Sequence, residues 1–227
     1  MKYGIMGAMP DEVDQLCARL SGVEVQQYAG VEYHQGRLGD KEVVVCCAGM
    51  GKANAAATTQ VLCGKFGAQA IIFSGIAGNM SEEIGIGDVV VGKEVCYHDA
   101  EVSMICQSAP FLKSYTGDPA LVQAALDACA ALGVKAIAGR IATGDTFVGD
   151  GATKAVIAEK VHPDCVEMEG AAVSQIAAKN GVPCVILRAM SDNADEDGHE
   201  VLVVKKFSIG EYVATATKIV AAMVEKL

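Results

Sequence analysis

Cys184-Val-Ile-Leu-Arg-Ala-Met190 is apolar but for Arg188, and it follows a helical pattern stopped by Asn180-Gly181. A short unbroken apolar run between turn signals reads as a strand buried on both faces. Ala70-Ile-Ile-Phe-Ser-Gly75 has the same form, and Lys2 to Met6 and Asp88 to Cys96 read as further buried strands. Strand-like segments also cover Val31 to Leu38, Glu42 to Cys47 and Lys135 to Thr143. Helical patterns lie between them. Pro10 to Leu20 carries Val13, Leu16, Cys17 and Leu20 on one stripe, with Pro in the first turn, where it is tolerated. Others cover Ala53 to Phe66, Leu121 to Leu132, Thr153 to Lys160, Glu169 to Lys179 and Phe207 to Leu227. Buried strands alternating with helices give the α/β class, with a mixed or mostly parallel sheet covered on both faces. In such folds ligands collect in the loops beyond the strand ends.

The 227 residues suit one domain over 1–227 with a well-buried core. Apolar residues make up 52% and charged residues 20%, a globular composition. The net charge of −10 disfavours nucleic acid and anionic membranes, both of which attract Lys and Arg. It leaves room for a neutral or cationic small molecule. No apolar stretch reaches the length of a bilayer span, and the N-terminus lacks a signal peptide's basic region, so a cytoplasmic location is expected. The nine cysteines form no CxxC pair and read as reduced, mostly buried thiols. His34, His98, His162 and His199 lie far apart, so no metal is expected.

Four strand exits carry unusual residues: Gly7 to Glu12, Ile76 to Asn79, Glu167 to Glu169, and Ser191 to Asp195. Three of the four deliver a carboxylate at or just past a strand end. Glu12 reads either as a first-turn acid favoured by the helix dipole or as a base that polarises water. Glu169 opens a helix next to the small residues Gly170, Ala171 and Ala172. It reads as an N-terminal cap or as a two-oxygen acceptor for a vicinal diol such as a ribose. Glu167 reads as a structural acid whose basic partner the spacing does not identify. Asp192, after Ser191, is either an Asx-turn residue or a desolvated acid able to hold a proton and donate it. Arg188 is a rare buried cation and needs an anion beside it, Glu12 or another strand-end carboxylate. Phosphates find no cradle. Cys46 stands where the Gly49-Met50-Gly51-Lys52 segment would need a glycine to complete a Walker A loop, and Gly7 begins no GxGxxG. No cofactor is expected.

Taken together, the segments Gly4-Ile-Met-Gly-Ala-Met-Pro-Asp-Glu-Val13, AGMGKANAA, SGIAGN, IGIGDVVVG, YHDAEV, ATGDTFV, VEMEGAAV and RAMSDNAD, in this order, resemble the bacterial 5′-methylthioadenosine/S-adenosylhomocysteine nucleosidases of the nucleoside phosphorylase superfamily. The resemblance covers nearly the whole chain. VEMEGAAV followed by RAMSD is its most specific part. It implies a three-layer α/β/α sandwich around a mixed central β-sheet, a homodimer, and hydrolysis of the bond between adenine and a 5′-thio-substituted ribose. By resemblance, Glu12 activates water and Asp192 protonates adenine N7. Met168 and Glu169 bind the ribose, Phe147 stacks on adenine, the backbone of Val148 bonds its edge, and Gly78 contacts substrate. Met9 and Met50 fall near a thioalkyl pocket, although Met50 also reads as plain core packing.

The chemistry asks for these residue types. Glycosidic cleavage builds positive charge on the sugar, which nearby carboxylates stabilise. Adenine is a poor anionic leaving group and needs an acid, while water needs a base across the sugar, a division of labour parallel to two-carboxylate glycoside hydrolysis. Three departures stand out. Ile76 occupies a position where the family commonly has a water-holding Ser, Asn79 replaces a usual glycine, and residues 196–212 differ from the usual lid-like stretch, so that Leu202, Phe207 and Ile209 all compete for the thioalkyl side. The rival readings are a nucleoside phosphorylase, a hydrolase of another purine adduct such as futalosine, and a non-catalytic nucleoside-binding module. A phosphorylase needs several cations at strand ends, and a glutamate in the first loop would repel phosphate.

Overall fold

Strand β5 (Ala70–Asn79) organises the fold, because it has neighbours on both edges and uses one edge twice. The computed structural model describes residues 1–195 and 206–227, with no side-chain description for 206–209. The first half of β5 pairs in parallel with β1 (Lys2–Gly7) on one side, and β10 (Cys184–Asp192) pairs in parallel along the other side from Ile71 to Gly78. From β1 the sheet continues through β4 (Lys41–Cys47) and β3 (Val31–Leu38) to β2 (Ser21–Tyr28) at its edge. From β10 it passes through β6 (Val89–Tyr97), β8 (Ala136–Thr143) and β9 (Cys165–Glu167). β9 then pairs antiparallel with the end of β5, Gly78 with Val166 and Asn79 with Cys165. Five strands thus close into a ring, with a four-stranded arm attached. The short β7 (Tyr115–Thr116) pairs with β6.

Strand alternation sorts the core into two layers. Tyr3, Ile5, Val43, Val45 and Ile72 face α1 (Pro10–Cys17), α4 (Pro119–Ala131) and α7 (Lys206–Lys226). Met6, Val44, Cys46, Ile71 and Phe73 face α2 (Lys52–Gly64) and α6 (Gly170–Lys179). The expected mixed sheet covered on both faces is therefore present, and its closure into a ring at one end is an added feature. A smaller cluster joins Ile157 of α5 (Gly151–Val161) to Val148, Val166 and Ala194. Among the described residues there is one further helix, α3 (Val102–Ile105), a single turn.

Several boundaries differ from the sequence reading. α1 ends at Cys17 because the chain turns at once into β2, a strand exposed along its whole length. With no buried face, β2 gives no hydrophobic pattern to read. β5 and β10 run on past their apolar cores to Asn79 and Asp192. The register shift between Met190 and Asp192 is a β-bulge, a device that re-aims a side chain at a strand end. Of the departing segment 196–212, Leu202, Phe207 and Ile209 lie outside the residues whose side chains are described.

Candidate active site

The carboxyl ends of β1, β5, β9 and β10 open into one cavity, and nearly every candidate side chain lines it. Met9, Glu12, Met50, Gly78, Phe147, Met168, Glu169, Arg188, Ser191 and Asp192 are all on its wall. Val148 is buried behind it, in a small adjoining recess shared with Gly78, Phe147, Met168 and Asp192.

Glu12 is the third residue of α1, and Pro10 starts that helix directly after the β1 turn. Its carboxylate folds back into the turn. Oε2 accepts from the amides of Ala8 at 2.6 Å and Met9 at 3.0 Å, and Oε1 accepts from the Ile76 amide at 3.2 Å. Gly75 permits this approach, since a Cβ there would fall 2.7 Å from Glu12 Oε1 and closer still to Arg188 Nη1. Burial pushes the Glu12 pKa up from 4.5, and the Arg188 charge and the three amides only partly oppose the rise. A carboxylate in that state is a stronger base than an exposed one.

Arg188 is 1% exposed and sits above the Phe73 ring, 4.5 Å from its centre. Its Nη2 donates to Glu167 and, at 3.0 Å, to Glu169, while Nη1 donates to the Ile76 carbonyl at 3.3 Å. These contacts supply the partner that Glu167 lacked in the sequence reading, and they show Arg188 paired directly with Glu167 and Glu169 while Glu12 acts on it only through charge. Glu167 also accepts from the Thr143 hydroxyl and from the amides of Glu169 and Gly170, so it caps α6. Glu169 is the N-cap residue of that helix, yet its side chain makes no cap bond. Its Oε1 instead accepts from the Gly51 amide at 2.8 Å. The capping role expected of Glu169 belongs to Glu167, which leaves Glu169 turned into the cavity. Burial raises the Glu169 pKa, Arg188 opposes the rise, and the Glu167 charge adds to it.

Asp192 lies just past the β10 bulge and is 3% exposed. Oδ1 accepts from the Ala194 amide at 2.8 Å, an Asx-turn, and Oδ2 accepts from the Ser191 hydroxyl at 2.8 Å. The Asx-turn reading of Asp192 is thus present, and the same carboxyl group lines the cavity. Met50 is 63% exposed at the rim, so the core-packing reading is wrong for it. It follows Gly49, whose positive φ turns the chain outward. Among the described residues no group of His, Cys, Asp or Glu is arranged to hold a metal ion.

The phosphorylase superfamily model matches residues 2–225. A 5′-methylthioadenosine/S-adenosylhomocysteine nucleosidase of Shewanella sediminis is 41% identical over 203 residues, 87% of this chain and 88% of that one. The chain belongs to this nucleosidase family, within the phosphorylase superfamily. Among solved structures, the Colwellia psychrerythraea family member in complex with adenine superposes with a TM-score of 0.93 at 31% identity, over 100% of this chain and 96% of that one. A futalosine hydrolase of Helicobacter pylori superposes with a TM-score of 0.91 at 30% identity, over 100% and 98%. Two of this nucleosidase's departures now have a structural account. The site uses the amide and carbonyl of Ile76, which any residue supplies. Asn79 ties a turn, donating to the Ile84 carbonyl and accepting from the Ser81 amide. Sequence reasoning passed over Thr143 and the Gly51 amide. The signal for Gly51 was an α2 start with no capping side chain of its own.

Proposed function

We propose that this single-domain chain hydrolyses the N-glycosidic bond of 5′-methylthioadenosine and S-adenosylhomocysteine, releasing adenine and the 5′-thio-substituted ribose. The observation that carries this reading is the placement of Glu12 and Asp192 on the wall of one cavity, with Glu169 on the same wall. Glu12 takes a proton from water as its oxygen attacks the anomeric carbon. Asp192 gives a proton to adenine N7 as the C–N bond breaks, so adenine leaves neutral. Solvent then returns the proton from Glu12 to Asp192. Glu169 accepts from the ribose hydroxyls, Met168 and Gly78 close the floor, and Phe147 covers the purine while the Val148 backbone meets its edge. Met9 and Met50 offer soft apolar contact to the thioalkyl group.

The state of Arg188 disfavours phosphate as nucleophile. It is the one Lys or Arg lining the cavity among the described residues, and two glutamates already neutralise it. The decisive assay follows adenine release with and without phosphate. Phosphate-independent release supports the hydrolase; release only with phosphate, or no release, overturns it. Running futalosine beside the two thio-nucleosides tests the other purine adduct, which the likeness to a futalosine hydrolase makes worth including.

A homodimer in the cytoplasm, serving methionine salvage, completes the reading. No helix among the described residues is long and apolar enough to cross a membrane. Support for the dimer comes from the family resemblance and from Met104, Phe111 and Leu112, which are exposed close together in sequence.

A further inference from the structure

Helix α2 begins at Lys52 without a cap of its own, since its N-cap residue is Gly51 and its first turn has no acid. The missing acceptor comes from another part of the chain. Asp145, just past β8, accepts from the Lys52 amide through Oδ1 at 2.8 Å. Asp145 is in turn held by Asp99, just past β6, whose Oδ2 accepts from the Asp145 amide at 2.8 Å. The Lys52 ammonium closes the circuit. Its Nζ donates to both Asp99 oxygens at 2.8 and 2.7 Å, lies 3.6 Å from Asp145 Oδ2, and sits 5.5 Å from the centre of the Tyr97 ring. Three strand exits are thereby tied by three side chains, none of which lines the cavity.

Each tie ends beside something that does line it. The Gly51 amide, one residue before Lys52, holds Glu169 Oε1 at 2.8 Å. Phe147 lies two residues after Asp145. Gly51 has φ +92, and a Cβ there would come 3.2 Å from Asp145 Oδ1, so the backbone of this turn and the Asp145 carboxylate are fitted closely to each other. Burial works against charge on Asp99, and Lys52 and the Asp145 amide more than offset it, which keeps the carboxyl below its usual range.

We propose that Lys52, Asp99 and Asp145 are positioning residues, a clamp that fixes the Gly51 amide and Glu169 on the sugar side against the Phe147 loop on the purine side. The proposal rests on the nucleosidase reading for its kinetic consequence and on geometry alone for its structural one. Partly exposed ion pairs contribute little to folding, so the clamp acts on where the loops sit more than on whether the chain folds. Glu12 and Asp192 lie on other elements and keep their own contacts. Loosening the clamp therefore weakens substrate binding and leaves the acid and base in place.

The test is Asp145→Ala in the full chain, read by steady-state kinetics on 5′-methylthioadenosine and by amide hydrogen exchange. KM rises about fivefold, the equivalent of the ~1 kcal/mol of a lost helix cap, with kcat within about twofold. Exchange quickens both at residues 49–52 and at 144–148. Asp145→Asn, which can still accept from the Lys52 amide, restores most of the KM, and Lys52→Met reproduces the loosening. An unchanged KM, a loss confined to kcat, or exchange that quickens in one loop alone overturns the clamp. Should Asp145→Ala not fold, Asp99→Asn and Lys52→Met carry the same readouts. If the wild-type chain releases no adenine, the nucleosidase reading fails, and the exchange data still judge the clamp.

Discussion

Glu12 is held in a place that resists its charge, and this sets how it answers to pH. Burial raises its pKa above 4.5 against the opposition of Arg188 and three backbone amides. In the proposed base role Glu12 works only when ionised, so kcat/KM should fall as pH drops through that raised value, and the acid limb of the profile should lie above 4.5. Stability runs the other way. The folded-state pKa exceeds the unfolded one, so the contribution of this group is fully present below the unfolded value and is lost as pH rises through the folded value. Glu12→Gln removes that loss. We expect turnover to fall by about a hundredfold or more, the usual share of a general base. At pH above the limb, the melting temperature, followed by calorimetry, should rise relative to wild type. A melting temperature that drops at every pH would contradict this account. Asp192→Asn keeps the Ala194 and Ser191 contacts in outline but has no proton to give, so kcat should fall by a similar factor while circular dichroism stays unchanged. Near-normal turnover would remove Asp192 from the acid role.

Strand β10 carries Arg188 into the core, and the strand tolerates it because β9 and the start of α6 bring two carboxylates to meet it. Arg188→Ala would leave Glu167 and Glu169 buried without their cation, a loss of about 3–5 kcal/mol that urea unfolding should register. A change below about 1 kcal/mol would mean that the amides and Thr143 suffice on their own. This trio also marks the limit of what the residues disclose by themselves. Lys2 to Met6, Ala70 to Gly75 and Cys184 to Met190 announce buried strands, because apolar residues on both faces leave no other short structure. Glu12, Glu169 and Asp192 stand out because acids in apolar surroundings need a reason to be there. That Arg188 meets Glu167 and Glu169 while the Gly51 amide meets Glu169 depends on which strand exits become neighbours, and that is set by long-range pairing, which local pattern does not encode. The exposed β2 and the two-residue β7 were hidden for a different reason: neither buries enough surface to impose a periodicity. Met50 was misjudged because methionine is equally at home in a core and at a pocket mouth.

The molecule as a whole presents its apolar surface unevenly, with Phe111 68% and Met104 63% exposed. If these side chains meet a second copy, Phe111→Asp should shift the species seen by sedimentation from twice the chain mass toward the chain mass; an unshifted dimer would place the contact elsewhere. The closing of β5, β10, β6, β8 and β9 on one another has its own effect on what such a protein can become. An open sheet can splay or slide a strand to admit a bulkier guest, but a hoop of hydrogen-bonded backbone cannot widen without breaking a ladder. Adaptation to a different purine or a longer tail must therefore proceed by redrawing the segments at the mouth, while the base of the cavity stays the same width.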